Sequence, residues 1–179
     1  MYAITNIRTR RSIRKYAERA VEKEAVQEIV ADAAYAPSWM NSQTAGYIAV
    51  LDKGTKDNIA ENMIAQNDIE NVKNAPAVVL LTSKNNVSGF MPDGREFIPG
   101  MSVHWQSFDA GIAAQTFCLA AHAHGLGTLI MGVWDEEKVK QIADVSTDCR
   151  IAAIIALGYA DNEPKTPKRK SVEELLKII

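Results

Sequence analysis

Cysteine is scarce in this chain of 179 residues: Cys118 and Cys149 stand far apart, with no CxxC and no Cys/His ligand spacing. A disulfide scaffold is excluded, and both thiols read as reduced structural residues. Proline (6) and glycine (10) are too few and too scattered for a collagen-like or low-complexity chain, and 47% hydrophobic residues are too many for a disordered one. Long apolar runs are missing as well. The longest, residues 75–82 (APAVVLLT) and 151–158 (IAAIIALG), fall far below the roughly 18–20 residues that cross a bilayer. The first twenty residues hold no apolar stretch ahead of a small-residue cleavage site, so a cytoplasmic protein with no membrane partner is expected. No GxSxG elbow is present, and residues 125–132 (GLGTLIMG) lack the GxGxxG spacing of a dinucleotide-binding turn.

Charge is close to balance, with 20 Lys+Arg against 22 Asp+Glu, but it is unevenly placed. Residues 1–20 carry Arg8, Arg10, Arg11, Arg14, Lys15 and Arg19 against one acid, Glu18, which leaves 14 basic and 21 acidic groups for the rest. A second basic cluster, Lys165, Lys168, Arg169 and Lys170, stands near the other end. Two readings remain open: solvated termini, or two halves of an anion site. A nucleic acid partner is not expected, because the overall balance is slightly acidic. A single phosphate suits the arithmetic better.

The chain is long enough to bury one apolar core, so one domain spanning 1–179 is expected. Residues 21–36 carry Val21, Val26, Ile29, Val30, Ala33 and Ala34 at helical intervals, and Pro37 stops that helix. Residues 47–51 read as a strand, and a helix capped by Thr55 is expected to run to about Gln66. The continuous apolar run 75–82 reads as a strand buried on both faces. Residues 84–106 have no period yet carry Phe90, Met91, Phe97, Met101 and Trp105, the composition of a lid or interface loop. Residues 107–124 form a helix so rich in Ala and Gly that close approach of another element is expected, with Gly125 past its end. Strands at 128–131 and 150–158 flank a helix at 135–143. The order is that of an α+β protein with four or five strands.

Three motifs carry chemistry. Arg10-Arg11-Ser12-Ile13-Arg14 offers guanidinium forks and a hydroxyl suited to a phosphate. Residues 37–43 (PSWMNSQ) follow a helix with donors and acceptors that suit a ring of mixed edges. Gly132, just past a strand, lets backbone approach a planar ligand. His122 and His124 point about 200° apart on a helix and cannot share a metal, and no metal site is expected.

Taken together, the Arg10 to Arg14 motif, PSWMNSQ, the Ala75-Pro76 strand opening, AGIAAQTFCLAAHAHGLGT and LGYADNEPK with its basic sequel resemble the nitroreductase family of FMN flavoproteins, in order and over nearly the whole chain. The resemblance implies a three-layer α/β/α fold with a mixed, mainly antiparallel central sheet, in an intertwined homodimer whose two FMN sites are each built from both subunits. It implies that Arg10, Arg11 and Ser12 hold the phosphate, that Arg14 meets the N1/C2 edge of the ring, and that Lys168 and Arg169 complete the phosphate site. Pro37, Ser38, Trp39 and Asn41 correspond to the second subunit's flavin-packing segment. Met131, Gly132 and Val133 correspond to the strand end facing the ring, with a backbone N–H near Met131 as donor to N5. NADH or NADPH would deliver hydride to N5, and a small-molecule acceptor such as a nitroaromatic or quinone would then take the same place, with no side chain acting as acid or base. A non-catalytic FMN carrier or redox sensor is the alternative on the same scaffold. Trp39 and Thr44 stand where a small residue and Pro are common, and Asn67 and Asn71 straddle the place of a residue that reads the pyrimidine edge.

Overall fold

The computed structural model describes residues 2–179. In chain order the elements are α1 (Ala3–Thr9), α2 (Lys23–Ala33), a 3-10 turn (Trp39–Asn41), β1 (Ala45–Val50), α3 (Lys53–Ala60), α4 (Gln66–Asn74) and β2 (Ala77–Lys84). They are followed by α5 (Ser102–Ala123), β3 (Gly127–Met131), α6 (Glu136–Ile142), β4 (Cys149–Gly158) and α7 (Val172–Leu175). The strands form one sheet in the order β1-β2-β4-β3, each neighbouring pair antiparallel. The four strands are thus antiparallel throughout, and a single isolated parallel bridge joins Ser12 to Thr128 on β3.

Side chains alternate across a strand, and here both faces are covered. Ala77, Val79 and Leu81 of β2, with Ile155 and Leu157 of β4, pack under α2 and α5 through Ile29, Ala33, Ala113, Phe117 and Ala121. Val78 and Leu80, with Ile154 and Ala156, pack on the opposite side against Ile59, Val72 and Val139 of α3, α4 and α6. The continuous apolar run of β2 is therefore a central strand between two helical layers, as its composition predicts.

Several boundaries differ from the sequence reading. The first core helix is shorter than 21–36: Glu22 is already extended at its N-terminus, and the chain turns at residues 34–36 because the residue before Pro37 disfavours helix. The helix expected to reach Gln66 ends at Ala60, since residues 62–64 turn aside to pair with 133–135 through Asp135 N to Asn62 O (2.9 Å) and Ile64 N to Val133 O (3.3 Å). A new helix, α4, then begins at Gln66. Asp52, not Thr55, caps α3, its Oδ2 accepting from Thr55 N at 2.7 Å. α1 was not expected from the basic N-terminus, and α5 begins five residues before 107, at Ser102. Buried Lys56 escapes any hydrophobic pattern: its Nζ donates to the carbonyls of Val72 (3.1 Å) and Lys73 (2.8 Å), so it ties α3 to the end of α4.

Candidate cofactor site

Residues 12–17 thread between the outer edge of β3 and the chain leaving β4. Ile13 N donates to Thr128 O at 2.9 Å, Ala17 N to Tyr159 O at 2.9 Å and Asp161 N to Lys15 O at 3.1 Å. The strand can lie this close only because residue 127 is Gly: a Cβ there would stand 2.3 Å from Ile13 Cγ1. At the other end of the segment a Cβ on Gly158 would stand 2.8 Å from Tyr16 Cδ1, as well as 2.4 Å from the Pro76 ring. Two glycines thus admit the segment that carries the first basic motif.

This threading brings the two basic ends of the sequence together. Arg10, Arg11, Ser12 and Arg14 line one cleft of about 430 Å³ with Lys165 and Arg169, and no acidic residue lines it. Among the described residues, Arg10, Arg14, Lys165 and Arg169 enter no salt bridge. Gathering cations without counterions raises the local potential and favours an anion there. Arg11 plays a different part from its neighbours: its Nη1 donates to Arg8 O (2.7 Å) and Arg10 O (2.8 Å), and its Nη2 to Thr166 Oγ1 (2.7 Å). It clasps the C-terminal segment to the N-terminal motif. Lys168, which the resemblance places at the phosphate, does not line the cleft, and Lys165, a member of the same basic cluster that the resemblance does not assign, does. Spacing along an extended chain decides this, since positions 165, 167 and 169 share a side.

Behind Arg10 lies a second cavity of about 520 Å³ bordered by His122, Gly127 and residues 160–164. His122 bonds Thr9 Oγ1 at 3.0 Å. Burial and then the nearby guanidinium groups of Arg10 and Arg11 hold its pKa below the usual histidine value, so it adds no charge to the cleft. His124 points away to Asp32 Oδ2 at 2.9 Å, and among the described residues no group of three metal-ligating side chains forms. Burial raises the pKa of Cys118, an inert core thiol.

The motif at 37–43 is a strained turn. Met40, Asn41 and Gln43 have φ of 47°, 54° and 48°, a region that Asn tolerates and Met and Gln rarely adopt. Two side chains hold it: Ser38 Oγ accepts from Gln43 N at 2.9 Å, and the Asp109 carboxylate of α5 accepts from Trp39 N at 3.1 and 3.0 Å. The Trp39 indole meets the Phe97 ring edge-on at 5.7 Å. Pro37 and Ser38 border a cavity of about 330 Å³ that shares no lining residue with the basic cleft. Asp109 had no sequence signal beyond being the one acid inside an Ala-rich helix.

At the third motif Met131 is buried, Ile130 and Val133 are about half exposed, and open space surrounds the position of a Gly132 Cβ. Beyond Thr128 the outer edge of β3 pairs with no strand among the described residues, which leaves backbone donors available. Asn67 and Asn71 both lie on α4, and Asn71 is the more enclosed of the two. The segment expected to form a lid is irregular up to Met101, whereas Trp105 belongs to α5.

A cationic cleft of about 430 Å³, a strand end with open space above its glycine, and a sheet covered by helices on both faces define an α+β protein with a candidate cofactor site. The residues present fit a flat cofactor carrying a phosphate: the cleft supplies unpaired guanidinium groups, and Gly132 leaves room for a ring. The family model for the nitroreductase family matches residues 7–159, and the chain belongs to that family. A Methanothermobacter thermautotrophicus protein, provisionally named NADH dehydrogenase/NAD(P)H nitroreductase, is 29% identical over 170 residues, covering 93% of this chain and 81% of its own. The crystal structure of a nitroreductase family protein from Streptococcus pneumoniae TIGR4 superposes with a TM-score of 0.88 at 19% identity, covering 99% of this chain and 100% of its own. An FMN-dependent nitroreductase from Clostridium difficile R20291 superposes with a TM-score of 0.74 at 27% identity, covering 92% and 91%. Among the described residues no helix is long and apolar enough to cross a membrane.

Proposed function

We propose that the chain is an NAD(P)H-dependent FMN oxidoreductase that passes reducing equivalents to a small acceptor such as a nitroaromatic or a quinone. The observation that carries this reading is the acid-free cleft in which Arg10, Ser12, Arg14, Lys165 and Arg169 meet across more than 150 residues of sequence. The names of the Clostridium and Methanothermobacter relatives, FMN-dependent and NAD(P)H nitroreductase, support it. Bound FMN supplies hydride acceptance and release at N5. The chain's part is to bind, orient and polarise. Arg10 and Arg169 would take the phosphate with charge-assisted bonds, Ser12 would add a short donor, and Arg14 would place positive charge at the N1/C2 edge, where reduction leaves negative charge. Backbone at Met131 and Gly132 would face the ring, with open space at the Gly132 Cβ position.

A single chain does not bring the 37–41 turn into the basic cleft, since the cavities lined by the two share no residue. A homodimer supplies the missing half, the turn of one subunit packing on the flavin held by the other. The exposed faces support it: Phe108 on α5, Ile4 and Ile7 on α1, and Leu175, Leu176 and Ile178 near the C-terminus are all more than half exposed.

The visible spectrum of the purified protein tests the reading. Bands near about 370 and 450 nm that bleach anaerobically with NADH or NADPH are expected from a reducible bound flavin. A colourless protein that takes up no added FMN refutes it, and a coloured protein that neither nicotinamide reduces is a carrier or sensor instead. Arg14→Ala is expected to lower the flavin midpoint potential, because the cation that favours the reduced ring is gone. An unaltered potential removes Arg14 from that role.

A further inference from the structure

Asp109 is a carboxylate buried to 4% exposure on α5, where Gln106 lies buried one turn before it and Ala110, Ala113 and Ala114 lie buried after it. A charge in that position is costly unless hydrogen bonds satisfy it, and its partners come from two separate segments. Its two oxygens accept from Trp39 N of the strained turn at 3.1 and 3.0 Å, while Oδ2 also accepts from Ser88 Oγ at 2.6 Å. Ser88 is fully buried at the base of the irregular segment that leads to Phe97. That base is held in place: a Cβ on Gly89 would collide with Ser102 O at 2.6 Å, and Gln106, one turn before Asp109, accepts from Asn86 N at 3.3 Å. The same two segments meet again at their outer ends, where the Trp39 and Phe97 rings stand edge to face.

We propose that Asp109 is a positioning residue that sets the turn and the irregular segment as one unit, so that the Trp39 and Phe97 rings form a fixed apolar wall for the acceptor. The inference rests on the oxidoreductase reading above, in which the 37–41 turn packs on the flavin. Turn and segment each have short-range bonds of their own, Asn41 N to Ser38 O (3.0 Å) in one and Phe97 N to Gly89 O (3.0 Å) in the other, and the Asp109 carboxylate ties the one to the other. Displacing such a wall by about 1 Å loosens substrate orientation without touching the phosphate cleft.

The test compares wild type, Asp109→Ala, Asp109→Asn and Ser88→Ala, each loaded with FMN. It measures KM and kcat with menadione at saturating NADH, the FMN dissociation constant from flavin fluorescence, and the thermal midpoint. Asp109→Ala leaves the Trp39 N–H and Ser88 O–H unpaired and is expected to raise the menadione KM about tenfold. Asn keeps an oxygen for Trp39 N and offers Nδ2 to Ser88 Oγ, so it is expected to return KM to within about threefold of wild type. Ser88→Ala breaks one arm only and is expected to raise KM about threefold, and because the phosphate cleft is untouched, FMN affinity is expected to change less than the menadione KM in all three. A purely structural Asp109 would lower the thermal midpoint and leave KM alone, and that result overturns the proposal. So does an Asn variant as impaired as the Ala variant. If Asp109→Ala does not fold, a folded Ser88→Ala with wild-type KM is the refuting result. A wild type that binds no FMN sinks the oxidoreductase reading and this inference with it; a wild type that turns over beside variants identical to it sinks this inference alone.

Discussion

Replacing Arg10 and Arg169 together by Ala is expected to weaken FMN binding by about two orders of magnitude or more. Each guanidinium contributes a charge-assisted bond to phosphate worth roughly 1.5–3 kcal/mol when desolvated, and the partial exposure of these side chains places the pair near the lower end, about 3 kcal/mol together. A tenfold change in affinity corresponds to about 1.4 kcal/mol. Arg10→Lys keeps the charge and loses the planar fork, so its loss should be smaller. Lys168→Ala serves as the control, because Lys168 does not line the cleft whereas Lys165 does. Titrating apoprotein with FMN at low and high salt measures wild type and the three variants. A double variant that keeps FMN within threefold of wild type would show that the cleft is not the phosphate site.

Gly127→Ala should damage stability and site together. Its Cβ would stand 2.3 Å from Ile13 Cγ1 and 2.8 Å from Ile13 Cβ, closer than side chains approach, and Ile13 is buried with its backbone bonded to Thr128 O. The segment must move outward, and Ser12 and Arg10 move with it. Overpacking of this kind costs about 1–3 kcal/mol, which in a chain of this length lowers the melting temperature by roughly 3–10 °C. FMN affinity is expected to fall in parallel, although residue 127 touches no phosphate. Ile13→Ala in the same chain should recover part of both losses, and the double-mutant cycle measures the coupling. Additive effects would mean that the close approach is not what positions the motif.

Much of the fold is legible one segment at a time. β2 and β4 announce themselves as short apolar runs rich in branched residues, and the long Ala-rich helix ends at Gly125, whose φ of 81° only glycine adopts freely. Failures cluster where tertiary contacts override local preference. The helix after β1 stops at Ala60 because 62–64 pair with 133–135, and no pattern within the segment forecasts a partner seventy residues away. α4 is polar on most of its surface and buries little beyond Val72, too weak a stripe to stand out.

What the amino-acid order determined by itself is therefore periodic or compositional: short apolar runs that form buried strands, turns at glycine and proline, a basic patch at each end, and the motif order that marks a nitroreductase. Such features follow from steric and solvation preferences acting over a few residues. Only the tertiary structure decided that residues 10–14 and 165–169 share one cleft, that Arg11 clasps the two ends, and that Asp109 joins the Trp39 turn to Ser88. Those pairings depend on which distant segments the packed sheet holds side by side. A buried carboxylate or a glycine under an isoleucine carries no local mark of the partner that requires it.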